Sequence, residues 1–213
     1  GKFNQLVQME ASIKNIIFDF GGVILNIDYK LTEQAFAKLG LKDFDRIYSQ
    51  ATQKELFDVF EKGLSSPDDF RKGIRKFIHD DVSDSQIDHA WNSMLLDLPL
   101  ERVHLLDQLK LKYRIFLLSN TNQIHCDTFS AYMQKQFMRD IFSDVFEKAY
   151  FSHKVNMRKP DTEIFEFVLN ENNLRKEETL FIDDSIQHIE GANKLGLKTY
   201  YLKKGETILS VFQ

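Results

Sequence analysis

The sequence predicts an α/β protein: a Rossmann-like parallel sheet core carrying an inserted all-helical module. Two observations predict it. Five short apolar runs alternate with helical periodicity over most of the chain, which implies parallel strands joined by helices on both faces. Between residues 29 and 98 the strand signal disappears and only helical spacing remains. The core is therefore assigned to residues 11–28 and 99–213, and the helical insertion to 29–98. The length of 213 residues suits one domain with a sizeable insertion.

The first strand is read over Lys14–Phe20, whose β-branched and aromatic run ends at Asp19 and is followed by Gly21 and Gly22. In the insertion, Leu31/Ala35/Leu39, Leu56/Phe60, Phe70/Ile74/Phe77 and Ile87/Trp91/Leu95 recur at the three- and four-residue spacing of a helix face. SSPDDF, Ser65–Phe70, starts one of these helices with a serine, a proline at the first helical position and acids in the first turn. The core then resumes: helix Glu101–Lys112, strand Tyr113–Ser119, helix about Gln123–Phe137, strand Val145–Phe151 and helix Asp161–Asn172. Strand Thr179–Ile182, helix Gln187–Leu195 and strand Lys198–Leu202 complete it. The many phenylalanines read as filler for both cores.

Composition narrows the function. With 43% hydrophobic and 28% charged residues the chain has the balance of an ordinary soluble globular protein. A net charge of −4, from 28 basic and 32 acidic side chains with no basic block, offers no footprint for nucleic acid or an anionic membrane, so a small molecule is the expected partner. The single cysteine, Cys126, excludes an internal disulfide framework and a multi-cysteine zinc site, and is read as a small, semi-buried packing residue. The six histidines form no zinc pattern. No run approaches the roughly 18 apolar residues of a membrane span, and the N-terminal GKFNQLVQMEAS lacks a secretion signal's apolar core, so a cytoplasmic location is expected. Gly1 as an expression scar and Met9 as a genuine start remain open.

In an open parallel sheet, ligands bind beyond the carboxyl ends of the strands, and four such ends carry reactive groups. Asp19 offers a carboxylate able to attack phosphorus or carbon, or alternatively an Asx-type turn. LLSN, residues 117–120, offers the Ser119 hydroxyl, the Asn120 amide and main-chain donors to phosphate oxygens, although Ser-Asn is also ordinary turn composition. In MRKPDTEIF, Lys159 stands beside a helix N-terminus, a pairing that suits phosphate; the plain alternative is a solvated loop lysine. LFIDDS places Asp183 and Asp184 together, and adjacent carboxylates with oxygen-only chemistry point to Mg²⁺, or to helix capping by Asp184 or Ser185. Each is ambiguous alone, but their joint order is hard to obtain by chance.

With FDFGGV, LLSN, RKP and FIDDS in that order, the chain resembles the haloacid dehalogenase superfamily with a type 1 helical cap. DFGGVILNID, SNTNQIH, MRKP and DDSIQHIEGANKLG are similar to its bacterial α-D-glucose-1-phosphatase branch. The resemblance spans nearly the whole chain from Ile13, specific in the core and loose in the cap. It implies a Mg²⁺-dependent phosphatase acting on a small phosphorylated metabolite, a hexose 1-phosphate for example, through an aspartyl-phosphate on Asp19. It further implies that Ser119 and Asn120 hold the phosphoryl group, that Lys159 neutralises it, and that Asp19, the Gly21 carbonyl, Asp183 and Asp184 hold the metal, Asp184 most directly.

Gly21 departs from the pattern, since most phosphatases of the superfamily have a second aspartate there to move protons. A sugar 1-phosphate, whose anomeric oxygen leaves readily, tolerates that loss. Two further readings follow from the same glycine: a dehalogenase-type hydrolase in which Asp19 attacks carbon, and a catalytically weak phosphate-binding regulator. His125 is weighed as a substitute base against a solvated or capping role. Glu61 and Lys62, before Gly63, are expected at the surface rather than against substrate.

Overall fold

A computed structural model describes residues 11–49 and 51–212, with the side chains of residues 49 and 51–54 left aside. Gly1 and Met9 lie outside the described residues.

Five parallel strands form one sheet among the described residues, β1 (Asn15–Phe18), β2 (Arg114–Ser119), β3 (Lys148–Phe151), β4 (Thr179–Asp183) and β5 (Lys198–Tyr201), in the order β3-β2-β1-β4-β5. The register pairs Ile17 with Phe116 on one side and Phe181 on the other. Chain order reverses at β1, so β2, β1 and β4 lie side by side and their carboxyl ends open onto one crevice.

The strands are apolar throughout because both faces are covered. Ile16, Phe18, Ile115, Leu117, Leu180 and Ile182 point into one core, and Ile17, Phe116, Leu118 and Phe181 into the other. The first core is closed by helices Leu100–Leu109, Gln123–Phe137 and Ile208–Val211. The second is closed by Thr162–Glu171 and Ile186–Leu195. Cys126 is buried in the first core, where burial pushes its thiol up.

Between β1 and Leu100 the elements are helical: α1 (Tyr29–Lys38), α2 (Phe44–Ser49), α3 (Ala51–Glu61), α4 (Pro67–Arg75) and α5 (Asp84–Asn92). Their amphipathic faces meet in a third core of stacked rings, in which Phe60 and Phe70 lie 4.4 Å apart and Trp91 joins Phe57 and Phe70. The expected start at Ser65–Phe70 is present as a capping box, with Ser66 and Asp69 bonding each other's main-chain N–H. Thr32, fully buried, accepts from the Met94 N–H and bonds to the Ala90 and Trp91 carbonyls, tying α1 to the end of α5.

One element departs from expectation. The strand read over Val145–Phe151 is present but starts only at Lys148, because Val145 closes a short helix, Ile141–Val145, and Phe146 and Glu147 lie between the two. Val145 and Phe146 are apolar because they pack into the first core, and burial alone cannot separate a strand from a helical turn. No helix among the described residues is long and apolar enough to cross a membrane.

Candidate active site

The crevice holds a cavity of about 340 Å³ lined by Asp19, Gly21, Ser119, Asn120 and Asp184 from the sheet side, and by Tyr48, Asp58 and Glu61 from the helical layer. Pairing extends one residue past β1, with the Asp19 N–H donating to the Ile182 carbonyl at 2.9 Å, and this fixes the direction of the Asp19 side chain.

Lys159 organises the floor. Its side chain is wholly buried, and its ammonium donates to Asp19 Oδ1 at 2.9 Å, to Asp183 Oδ2 at 2.9 Å and to the Leu118 carbonyl at 2.8 Å. A solvated loop lysine is therefore not what the structure holds. Burial works against the ammonium, but Asp183 and Asp19 outweigh it and raise its pKa. Asp183 is held in turn by His188 Nδ1 at 3.0 Å and by the Ser185 N–H at 2.8 Å. Burial opposes its charge, yet Lys159 and His188 keep its carboxyl far below the usual range. For Asp19 the balance tips the other way, and burial with the Asp183 charge pushes it up against Lys159.

The segment bearing Lys159 is clamped by Asn120. Its Oδ1 accepts from the Lys159 N–H at 3.0 Å and its Nδ2 donates to the Lys159 carbonyl at 2.9 Å. The amide thus fastens the lysine segment, a task the sequence reading did not assign to it, while Asn120 also lines the cavity. Ser119 lines the cavity as expected.

Asp19, Asp183 and Asp184 each offer an oxygen within 4.8 Å of the others, an all-oxygen set that fits a hard divalent cation such as Mg²⁺. Asp184 is exposed to the cavity, and burial together with Asp183 pushes its carboxyl up. Ser185 occupies the N-cap of Ile186–Leu195 without a side-chain capping bond. The sequence reading missed Gly22: it sits at φ 84°, and a Cβ there would lie 2.1 Å from Asp184 Oδ2. Only glycine lets the turn after Asp19 pass this close to the acid. Gly21 lacks both constraints, since a Cβ there meets Ile27 at an ordinary 3.4 Å.

His125 is neither solvated nor placed as a free base. Its Nε2 donates to the Trp91 carbonyl at 3.0 Å, its Nδ1 receives the Asn122 amide at 3.2 Å, and its ring stacks on Trp91 at 4.4 Å. Both nitrogens are thus committed in the neutral form. Glu61, expected at the surface, instead lines the cavity with its side chain only 15% exposed, while Lys62 lies 4.0 Å from Asp161.

A buried lysine bridging Asp19 and Asp183, with Asp184 beside them, over the switch point of a parallel sheet roofed by helices, defines an aspartate-based α/β hydrolase. The chain belongs to the haloacid dehalogenase-like hydrolases, whose family pattern matches residues 13–196. It is 33% identical to a D-ribitol-5-phosphate phosphatase of Bacteroides thetaiotaomicron, over 91% of this chain and 93% of that one. It is 26% identical to a sesquiterpene phosphatase of Aspergillus oryzae, over 91% and 92%. Among solved structures, a haloacid dehalogenase family enzyme of B. thetaiotaomicron in complex with magnesium and inorganic phosphate superposes with a TM-score of 0.83. That enzyme is 40% identical, the match covering 94% of this chain and 100% of that one. Dehalogenase structures match at a TM-score of 0.57 and 16% identity, which shows the fold alone.

Burial pushes the His125 imidazole down from 6.5 to about 4, against the opposing bond to Trp91. The unfolded chain therefore takes up a proton here between those values that the native chain refuses. This contribution to stability is full above about 6.5 and is lost as pH falls toward 4, on the order of 3 kcal/mol. Urea unfolding from pH 7 to 4 is expected to show a shallower acid loss in His125→Gln than in wild type; parallel curves would contradict it.

Proposed function

We propose that the protein is a Mg²⁺-dependent phosphatase that hydrolyses small phosphomonoesters, sugar phosphates among them, through an aspartyl-phosphate on Asp19. The observation that carries this reading is the buried Lys159 ammonium bonded to Asp19 at the cavity floor. It gives the carboxylate a fixed counter-charge beside the position a phosphoryl group would take. The relatives named as phosphatases, and the neighbour solved with magnesium and phosphate, support the same reading.

In the first half-reaction an Asp19 oxygen bonds to phosphorus while the bond from phosphorus to the ester oxygen breaks. The ester oxygen leaves with a proton from solvent, since Gly21 supplies none. In the second, water attacks phosphorus, its protons pass to solvent and phosphate, and the Asp19 carboxylate is released with inorganic phosphate. Ser119 and main-chain N–H groups at the end of β2 bind the phosphoryl oxygens, and Asn120 acts by holding the Lys159 segment. When bound, magnesium supplies positive charge between the carboxylates and the phosphate. Asp19, Asp184 and the Gly21 carbonyl would hold it directly. Asp183, whose oxygens already accept from Lys159, His188 and Ser185, would act indirectly. The helical layer acts as a cap that excludes water and shapes the substrate pocket.

A dehalogenase reading has no use for a second acid, Asp184, opening onto the cavity beside Asp19. A purely regulatory reading leaves the Asp19–Lys159 contact without a task.

Phosphate release from a set of phosphorylated metabolites is expected with Mg²⁺, to cease with chelator, and to be absent in a folded Asp19→Asn variant. Turnover in chelator, or near-normal turnover by the variant, would contradict the mechanism.

Gly21 yields a second prediction. Its backbone and surroundings admit a side chain, so Gly21→Asp is expected to fold and to place a carboxyl group near the leaving oxygen. Wild-type rates should rise steeply with the acidity of the leaving alcohol. The variant should gain most on the poorest leaving groups, recovering part of the roughly 10²–10⁴ that general acid catalysis supplies. A wild type insensitive to the leaving group would show that another residue already donates the proton.

A further inference from the structure

The floor of the cavity suits a phosphate, but its opposite wall has another character. Asp58 and Glu61 lie three residues apart on α3, hence on one helix face. Both approach Arg158, the residue before Lys159: Arg158 Nη2 is 3.6 Å from Asp58 Oδ1 and 3.4 Å from Glu61 Oε2. These are long contacts for a pair able to form a two-pronged bond near 2.8 Å. The buried Arg158 Nε donates to nothing among the described residues. Three charged side chains lining the cavity are thus only partly satisfied, and together they carry one net negative charge.

Their placement relative to Asp19 is fixed. Asn156 Nδ2 donates to the Lys62 carbonyl at 2.7 Å, and Gly63, at φ 69°, passes so close to the His153 carbonyl that a Cβ would lie 2.0 Å from that oxygen. The end of α3 is thereby seated on the segment that carries Arg158 and Lys159, which sets the distance between the charged wall and the phosphate floor.

The wall's chemistry selects its ligand. A second phosphate or a carboxylate meets two acids and an arginine they already compensate. An apolar tail strips water from three charges and returns nothing. A hydroxyl donates to a carboxylate and accepts from a guanidinium at once. Tyr48 and Phe57, in the same wall, add apolar lining beside the carbon skeleton between.

We propose that Asp58, Glu61 and Arg158 are specificity-determining residues that hydrogen-bond substrate hydroxyls. The substrate is then the monophosphate of a polyhydroxylated chain or ring with no second anionic group. This rests on the phosphatase reading and narrows it.

The test compares a hexitol monophosphate with hexyl phosphate, which share a primary alkyl ester and differ in hydroxyls, each assayed with Mg²⁺ on the same preparation. Wild type is expected to favour the hexitol ester in kcat/KM. Glu61→Gln and Arg158→Gln are each expected to lower the hexitol-to-hexyl ratio about tenfold or more, chiefly through KM, with Glu61→Asp partly restoring it. A hexose bisphosphate should be a poor substrate. An unchanged ratio, equal losses on both esters, or a preference for the bisphosphate would overturn the proposal while leaving the phosphatase reading standing. Failure of the wild type on every ester would remove that reading, and the proposal with it.

Discussion

Everything at the centre of this structure is arranged around one buried positive charge. An ammonium withdrawn from water is tolerated only if oppositely charged or polar partners surround it, because an unpaired buried charge costs several kcal/mol or more. Lys159 finds three partners, and they come from three adjacent strands: Leu118 of β2, Asp19 just beyond β1 and Asp183 of β4. Only a parallel sheet whose order reverses at β1 brings those ends together. The apolar strands, the helices covering both faces and the clamp by Asn120 therefore serve one placement, that of the charge beside Asp19.

That placement has an electrostatic consequence. Asp183 is held charged by Lys159 and His188 against its burial, whereas Asp19 and Asp184 are both pushed toward protonation by burial and by the neighbouring Asp183 charge. The floor thus carries more negative charge than its lysine can balance, a surplus that a divalent cation and a phosphate together complete. The opposite wall has a smaller imbalance and unused hydrogen-bonding capacity, so the two ends of one cavity differ in what they recognise.

The fold was largely legible because strands buried on both faces are written as continuous apolar runs, and because the helices of the insertion keep their three- and four-residue spacing. Val145 and Phe146 misled because core burial looks the same in a strand, at a helix end and in the bend that follows it. At the site, Asp19, Asp183 and Asp184 were visible as polar residues at strand ends, and Lys159 as a basic residue entering a helix. The roles of Asn120, Gly22 and Glu61 were not. Asn120 bonds to a segment 39 residues away, Gly22 is constrained by an acid on another strand, and Glu61 is turned inward by contacts between α3 and the segment around Arg158. Such constraints exist only between elements distant in sequence. Gly22 did carry a local trace, the second glycine of the pair following Asp19.

The central claim is that Lys159 holds Asp19 as the phosphorus-accepting carboxylate. The most direct test is a crystal structure with Mg²⁺ and beryllium fluoride, a mimic of a phosphoryl group bonded to an aspartate. The account predicts beryllium bonded to an Asp19 carboxylate oxygen, with the Lys159 ammonium still within hydrogen-bonding distance of Asp19 and Asp183. Beryllium on another residue, or a Lys159 side chain swung away from both acids, would contradict it.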